Sequence, residues 1–260
     1  SVNTIAVKVL KAVRISPVID LAHRMGINSD IPAVPSIALG TAELSLLELA
    51  TAYTGYANRG VSPDPYFITK IEDSKGKVIY EYQPKRVRPA FSENTRQVMV
   101  EMMKSTVNEG TAVRMRSRYG LRNDIAGKTG TTQDNKDGWF VGIMPKLVVA
   151  TWVGHDDHRI GFRNTRIGQG ANSAMPAVAL FLQKMNADKD YKNISWSKFP
   201  APSEDVIAAL DCEPEFRDSF FDRLFSSDEN ERDFGGKKSY REEIRERKAK
   251  YRKSKDDSDD

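Results

Sequence analysis

Ala126-Gly127-Lys128-Thr129-Gly130-Thr131-Thr132, followed after a polar turn by Asp137-Gly138-Trp139-Phe140-Val141-Gly142, decides how this chain is read. Both stretches are short, rich in β-branched and aromatic residues, and separated by Gln133 to Asp137, a length that joins antiparallel neighbours. A third run, 147–154, follows after only Pro145-Lys146, so residues 124–132, 138–144 and 147–154 read as a β-meander. Side chains alternate across a strand, which puts Thr129 and Thr131 on one face and Lys128 on the other. Gly130, lacking a Cβ, lets a ligand or a neighbouring backbone approach closely. The rival reading of Gly127-Lys128-Thr129 is the end of a phosphate loop. It fails because Arg122 stands where the first glycine belongs, Gly120 is two residues too early, and Gly130, Asn135 and Gly138 cannot open the helix that would hold a phosphate.

Upstream of the meander the period changes from two to 3.6. Ile5, Val9 and Val13, with Ala6 and Leu10, predict a buried helix over residues 4–15, with Pro17 as its stop. A short helix from Val18 to Met25 closes at Gly26, and Ile31 to Ser36 is a proline-fixed connector. Leu44, Leu47, Ala50, Thr51 and Tyr53 predict an amphipathic helix ending before Asn58-Arg59-Gly60, with Gly60 suited to a left-handed cap. Residues 67–72 and 77–82 form a hairpin about Asp73-Ser74-Lys75-Gly76. Ser92 then opens a helix with Val98, Met99, Met102, Met103 and Val107 as its apolar stripe. Beyond the meander, 161–170 reads as a loop and 171–185 as a closing helix. Helices with an antiparallel sheet predict an α+β domain over residues 1–190.

The chain has 260 residues, 40 Lys+Arg against 36 Asp+Glu, 39% hydrophobic residues and a single cysteine, Cys212. That is an ordinary globular composition, without an intrachain disulfide or a cysteine metal site. Mean hydropathy is −0.54. The longest apolar runs, such as Leu147 to Val153, fall far short of the roughly 18 to 20 residues of a membrane helix. The basic balance has no basic stripe interleaved with aromatics, so no nucleic-acid partner is expected. From Ser226 to Asp260 there are 11 basic and 11 acidic residues with almost no large apolar side chains. Such a segment cannot offset its ordering entropy and is expected to be a solvated tail, with 191–225 as an extension between it and the domain. His155-Asp156-Asp157-His158 has metal-ligand residue types, but its place directly after a strand favours a turn. Ser1-Val2-Asn3-Thr4 has neither an initiator Met nor a signal-type segment, and the chain reads as cut from a longer one.

Several of these stretches, in order, resemble the serine penicillin-binding proteins, and more closely the transpeptidase domain of the class A, bifunctional members. Lys128-Thr129-Gly130-Thr131-Thr132 is similar to the family's Lys-Thr-Gly strand, and 137–142 with Trp152-Val153-Gly154 to its next two strands. Ser1-Val2-Asn3 is similar to its Ser-x-Asn motif. Pro35 to Gly40, Leu46 to Ala50, Tyr53 and Ala57 to Gly60 resemble the segment that class A members carry between the two motifs. The resemblance covers residues 1–187. It implies an α+β fold of the serine β-lactamase and penicillin-binding-protein kind, an antiparallel sheet with helices packed on it, truncated here at the N-terminus.

It further implies a D,D-transpeptidase, or D-Ala-D-Ala carboxypeptidase, that cross-links peptidoglycan stem peptides through an acyl-serine and is inhibited by β-lactams. No cofactor and no metal are implied. In the resemblance Ser1 relays the proton to the leaving amine, Asn3 bonds the acyl side-chain amide, and Lys128 keeps the site positive. Thr129, Gly130 and Thr131 seat the terminal carboxylate, with the Thr131 N–H as one oxyanion donor. The parent protein would also carry a glycosyltransferase domain and a membrane anchor absent from this chain. It would work at the outer, periplasmic face of the cytoplasmic membrane, with partners in cell-wall synthesis. The family's nucleophile motif, Ser-x-x-Lys, is expected before Ser1. Ser74-Lys75-Gly76-Lys77, on a polar turn, and Ser195-Trp196-Ser197-Lys198, running into Pro200, match its letters without its setting. The alternatives that remain open are a non-catalytic sensor or scaffold on the same fold and a β-lactamase-type hydrolase.

Overall fold

The computed structural model describes residues 2–84, 87–157 and 159–210. The chain divides into two units, 1–218 and 219–260, and the described residues all belong to the first. Ser1, His158 and the charged tail lie outside the described residues, so the expectations placed on them are not addressed by the fold.

The meander forms as the alternation predicts. β3 (Ala126–Thr131), β4 (Gly138–Met144) and β5 (Leu147–Val153) are antiparallel in the order β3-β4-β5. The preceding strands, β1 (Lys70–Glu72) and β2 (Val78–Glu81), make a separate two-stranded hairpin, shorter than predicted, with a register shift after Ile71. Gly76 turns it at φ +80.

Helices cover both faces of the meander. On one face α3 (Leu46–Ala57) packs on β4 and β5 and α4 (Glu93–Asn108) on β3, burying Val100, Met103, Ala126, Val141, Ile143 and Phe199 together. On the other, α7 (Met175–Ala187) and the turn-like α5 (Arg114–Ser117) bury Phe140, Met144, Met115, Met175, Val178 and Leu182. Alternate residues of β4 thus feed two cores. Cross-strand pairs share a face. Lys128, opposite Val141, therefore lies on the α3/α4 side, and Thr129 and Thr131, opposite Phe140 and Gly138, on the α5/α7 side.

Local chemistry explains the helix ends. Ser45 and Glu48 form a reciprocal capping box on α3. The chain leaves that helix through Arg59 and Gly60, both at positive φ, where a Cβ on Gly60 would lie 2.5 Å from the Phe91 carbonyl oxygen. Ser92 caps α4 by accepting from the Thr95 N–H at 3.2 Å. Arg96 is buried in α4, where it donates to both Glu93 oxygens (2.8 and 2.6 Å) and to the Tyr56 carbonyl (3.1 Å), tying α4 to the end of α3.

Four expectations are corrected. The helix at the start, α1 (Asn3–Val13), forms, but only Leu10 is buried. Ile5, Val9 and Val13 are 49%, 43% and 45% exposed, because α1 packs on α2 (Ile15–Arg24) and the Pro35–Leu39 turn rather than on the sheet. Pro17 does not stop it: the break is at Arg14, φ 70, and Pro17 sits in the first turn of α2, where no N–H partner is required. Met102 is exposed, because the buried stripe of α4 runs through Arg96, Val100, Met103 and Val107. Within 161–170 a short helix, α6 (Thr165–Gly168), interrupts the loop, with Asn164 as its cap.

The compact body continues past residue 190. Phe199 is in the core, its N–H donates to Asp124 Oδ2 at 2.9 Å, and α9 (Glu204–Leu210) packs on α4 through the buried Val206. The short α8 (Lys192–Ser195) is held by Asn123, whose amide donates to the Ser195 carbonyl at 2.5 Å.

Candidate active site

β3 is an edge strand of its sheet, and it carries Lys128, Thr129, Gly130 and Thr131 in a row. Each is held by a different device. Lys128 is half-buried, its Nζ donates to the Thr129 carbonyl at 2.5 Å, and burial pulls its ammonium below the usual lysine range. Thr129 Oγ1 lies 2.8 Å from Thr111 Oγ1, in the turn between α4 and α5. Thr131 Oγ1 accepts the Gly170 N–H at 3.1 Å. One hydroxyl is therefore positioned from each end of the α5/α7 layer.

Glycines let these layers close up. A Cβ on Gly130 would sit 3.0 Å from Trp139 Cβ, so the close approach there is made by the partner strand. A side chain at Gly170 would collide with the carbonyl oxygens of Gly130 and Trp139, which is why its N–H can reach Thr131. The β3–β4 turn is locked by Thr132: its N–H donates to the Asp137 carbonyl at 3.3 Å and its Oγ1 accepts the Asp137 N–H at 2.9 Å. Asp137 Oδ2 in turn accepts from Trp152 Nε1 at 3.1 Å, binding the turn to β5.

Of the residues expected at the site, the fold brings together Lys128, Thr129, Gly130 and Thr131. Asn3 opens α1 and is exposed, and among the described residues no hydrogen bond joins it to β3. Ser1 is outside the described residues. Thr111 and Gly170, which hold Thr129 and Thr131, are residues of this candidate site that sequence reasoning missed. They lie 18 and 39 residues from their partners, and only the Gly168-Gln169-Gly170 spacing hinted at a close approach.

Neither Ser-x-x-Lys match forms a nucleophile site. Ser74 and Lys77 stand on the hairpin turn, with the Lys75 and Lys77 N–H groups bonded to Asp73 Oδ1. Ser195 is fully buried. His155 Nδ1 accepts the Asp157 N–H at 2.9 Å and the Asp157 carboxylate pairs with Arg159, the local bonding of a turn. Among the described residues no group of three His, Cys, Asp or Glu could hold a metal ion.

Two positioned hydroxyls and a half-buried lysine on one edge strand agree with what comparison with known proteins finds. Residues 28–169 match the family described as penicillin binding protein transpeptidase domain. The chain belongs to this family. It is 34% identical over 211 residues to penicillin-binding protein 1A of Aquifex aeolicus, covering 81% of this chain and 27% of that protein. To the protein of the same name from Neisseria lactamica it is 37% identical over 181 residues, covering 68% and 22%. The chain thus spans about a quarter of the length of these class A relatives. Among solved structures, penicillin-binding protein 1A from Haemophilus influenzae matches with a TM-score of 0.67 at 25% identity, over 78% of this chain and 34% of that one. Penicillin-binding protein PonA1 from Mycobacterium tuberculosis matches with a TM-score of 0.55 at 25% identity, over 72% and 53%. The α+β penicillin-binding fold and the transpeptidase domain expected from the sequence are both established by these matches. None of the helices among the described residues is long and apolar enough to cross a membrane.

Proposed function

We propose that this chain supplies the carboxylate-binding strand and part of the acyl-transfer site of a D,D-transpeptidase that cross-links peptidoglycan stem peptides. The observation that carries this reading is the row on β3: Lys128 half-buried, Thr129 held by Thr111, Thr131 held by the Gly170 N–H. An extended peptide can lie along the free edge of β3 as an added strand, its terminal D-Ala carboxylate received by the two threonine hydroxyls, with Lys128 on the other face of the strand keeping that edge positive. Charge then develops on the scissile carbonyl oxygen. A backbone N–H of β3, that of Thr131, is the donor assigned to it, of a kind worth about 100- to 1000-fold in rate.

The remaining roles rest on the family resemblance. A serine nucleophile with its lysine base comes from a Ser-x-x-Lys segment outside this chain, Ser1 relays the proton to the departing D-Ala nitrogen, and Asn3 holds the acyl side-chain amide. The acyl-serine is then resolved by the amine of a second peptide. β-Lactams, which the family is named for binding, would be trapped at the same acyl stage. The parent protein would be anchored at the outer face of the cytoplasmic membrane and carry a glycosyltransferase domain.

Covalent labelling of the full-length protein with a fluorescent penicillin tests this. Wild type should label, Lys128→Ala should not, and Thr131→Ser should retain labelling because its hydroxyl still meets the Gly170 N–H. Full labelling of Lys128→Ala would remove β3 from the active site. Labelling followed by rapid release would favour a β-lactamase-type hydrolase. Labelling without cross-linking of peptides would favour the sensor.

A further inference from the structure

Arg114, Arg118 and Arg166 converge with Tyr119 and Asn172 on a cavity of about 280 Å³ that Met175 and Pro176 also line. No carboxylate lines it. The sequence on both walls is equally one-sided: residues 110–123 hold four arginines and no Asp or Glu, and residues 159–187 hold three arginines, one lysine and no Asp or Glu. Arg114 donates to Asn172 Oδ1, bridging the two walls, and the Arg118 guanidinium lies 5.7 Å from the centre of the Tyr119 ring. Among the described residues none of the three cavity arginines is in an ion pair, so this is a preformed cationic cavity without its own counter-charge.

Its position decides what it receives. Thr111, three residues before Arg114, holds Thr129, and Gly170, two residues before Asn172, holds Thr131. Chain reach of about 3.5 Å per residue places Asn172 within about 7 Å of Gly170 along the backbone. The cavity therefore adjoins the threonine face of β3, on the opposite side of the sheet from Lys128.

We propose that this cavity is a second anion subsite, binding a carboxylate other than the terminal one on an acidic peptide laid along β3. The guanidinium fork matches a planar carboxylate in two-point geometry. Tyr119 and Pro176 give the peptide's carbon skeleton an apolar surface beside it. The inference rests on the transpeptidase reading and extends it: the site selects peptides by a carboxylate beyond the D-Ala terminus.

The test is binding to the full-length protein by titration calorimetry, using two peptides that end in D-Ala-D-Ala. One has free side-chain carboxylates and the other has the same carboxylates amidated. Wild type should prefer the free form by about tenfold, as expected for a charge-assisted contact. Arg118→Gln combined with Arg166→Gln should erase that preference while leaving affinity for the amidated peptide unchanged. Both side chains are exposed, so the variant should fold, and a circular-dichroism melt confirms it. Thr131→Val should weaken both peptides alike. Equal wild-type affinity for the two peptides, or equal losses in the arginine variant, would overturn the subsite and leave the transpeptidase reading standing. Failure of wild type to bind either peptide would bring down that reading and the subsite with it. If inorganic phosphate displaces the free-carboxylate peptide as readily as a matched carboxylate does, the cavity is an unselective anion site and the peptide assignment is wrong.

Discussion

The side-chain oxygens of Thr111 and Thr129 lie 2.8 Å apart, so the Thr129 hydroxyl, proposed to receive the substrate carboxylate, is oriented by a residue outside the strand that carries it. Thr111→Val keeps the shape and removes the bond. Acylation by a β-lactam should fall by about five- to tenfold, the worth of one neutral hydrogen bond. Thr111→Ser should restore most of it. If Val and Ser behave alike at the level of wild type, Thr111 plays no part in positioning Thr129.

Lys128 is held against its own preference. Burial disfavours its charged form, so a neutral side chain of similar length should suit the fold better. Lys128→Met is expected to abolish acylation and to leave the thermal midpoint equal to wild type or above it. The pH dependence has a definite sign. The lysine pKa is lower in the folded state than in the unfolded chain, so unfolding takes up a proton in the window between the two values. Wild type should therefore gain stability relative to Lys128→Met as pH rises from neutral toward 10.5. Melts of both proteins across that range decide it, and a gap that widens with pH would show that a charge partner outweighs burial.

The strand that carries the site was legible because its information is local. Alternation, two glycines and a polar turn specify β3 and β4, and the face assignment of Lys128 against Thr129 and Thr131 follows from the pleat alone. What was not legible is long-range. The periodicity of Ile5, Val9 and Val13 says that they share a helix face, but not that anything covers it, and α1 leaves that face open among the described residues. Met102 and Val100 are equally apolar, and which of them is buried depends on how α4 is rotated over β3. Thr111 and Gly170 look like turn residues until the fold sets them against β3, and the arginine cavity joins segments about fifty residues apart in the same way. The Ser45–Glu48 capping box is the exception, a local signature carried by the Ser-x-x-Glu spacing that apolar periodicity does not contain.

Glu48 gathers more than its cap. Its Oε1 accepts from the Asn28 N–H (3.0 Å) and the Ser29 N–H (2.8 Å), and its Oε2 from the Ser29 and Ser45 hydroxyls (both 2.8 Å). These bonds, those of Ser29 and Ser45 foremost, hold the carboxyl at about 2 against an ordinary 4.5. A depressed carboxyl stabilises the fold above its unfolded value, and that contribution is lost as pH falls through the folded one. The stability gap between wild type and Glu48→Gln should be constant above pH 4.5 and shrink as pH falls toward about 2. A gap independent of pH would show that the amide replaces the carboxylate without loss.

The charged segment 226–260, with 22 charged residues in 35, has too few apolar side chains to pack. Its deletion should leave the thermal midpoint of the chain unchanged. A fall of several degrees would show that it docks.

The strongest consequence concerns the 260 residues by themselves. If the nucleophile and its base lie in a segment outside this chain, the chain should form no covalent adduct with any β-lactam, since loss of a nucleophile costs on the order of a million-fold. The two sequence matches to Ser-x-x-Lys offer no substitute. Ser74 is on a hairpin turn where Gly76 adopts φ +80, so Lys77 cannot stand one helical turn away from it. Ser195 is sealed from solvent and its Oγ has no hydrogen-bond partner among the described residues, so no base is in place to activate it. Incubation with a fluorescent penicillin, followed by intact-mass measurement, should return the unmodified mass. A stoichiometric adduct that maps to any serine of this chain would refute an external nucleophile. An adduct on Ser195 would further require that α8 opens, which hydrogen exchange at Trp196 and Ser197 would report.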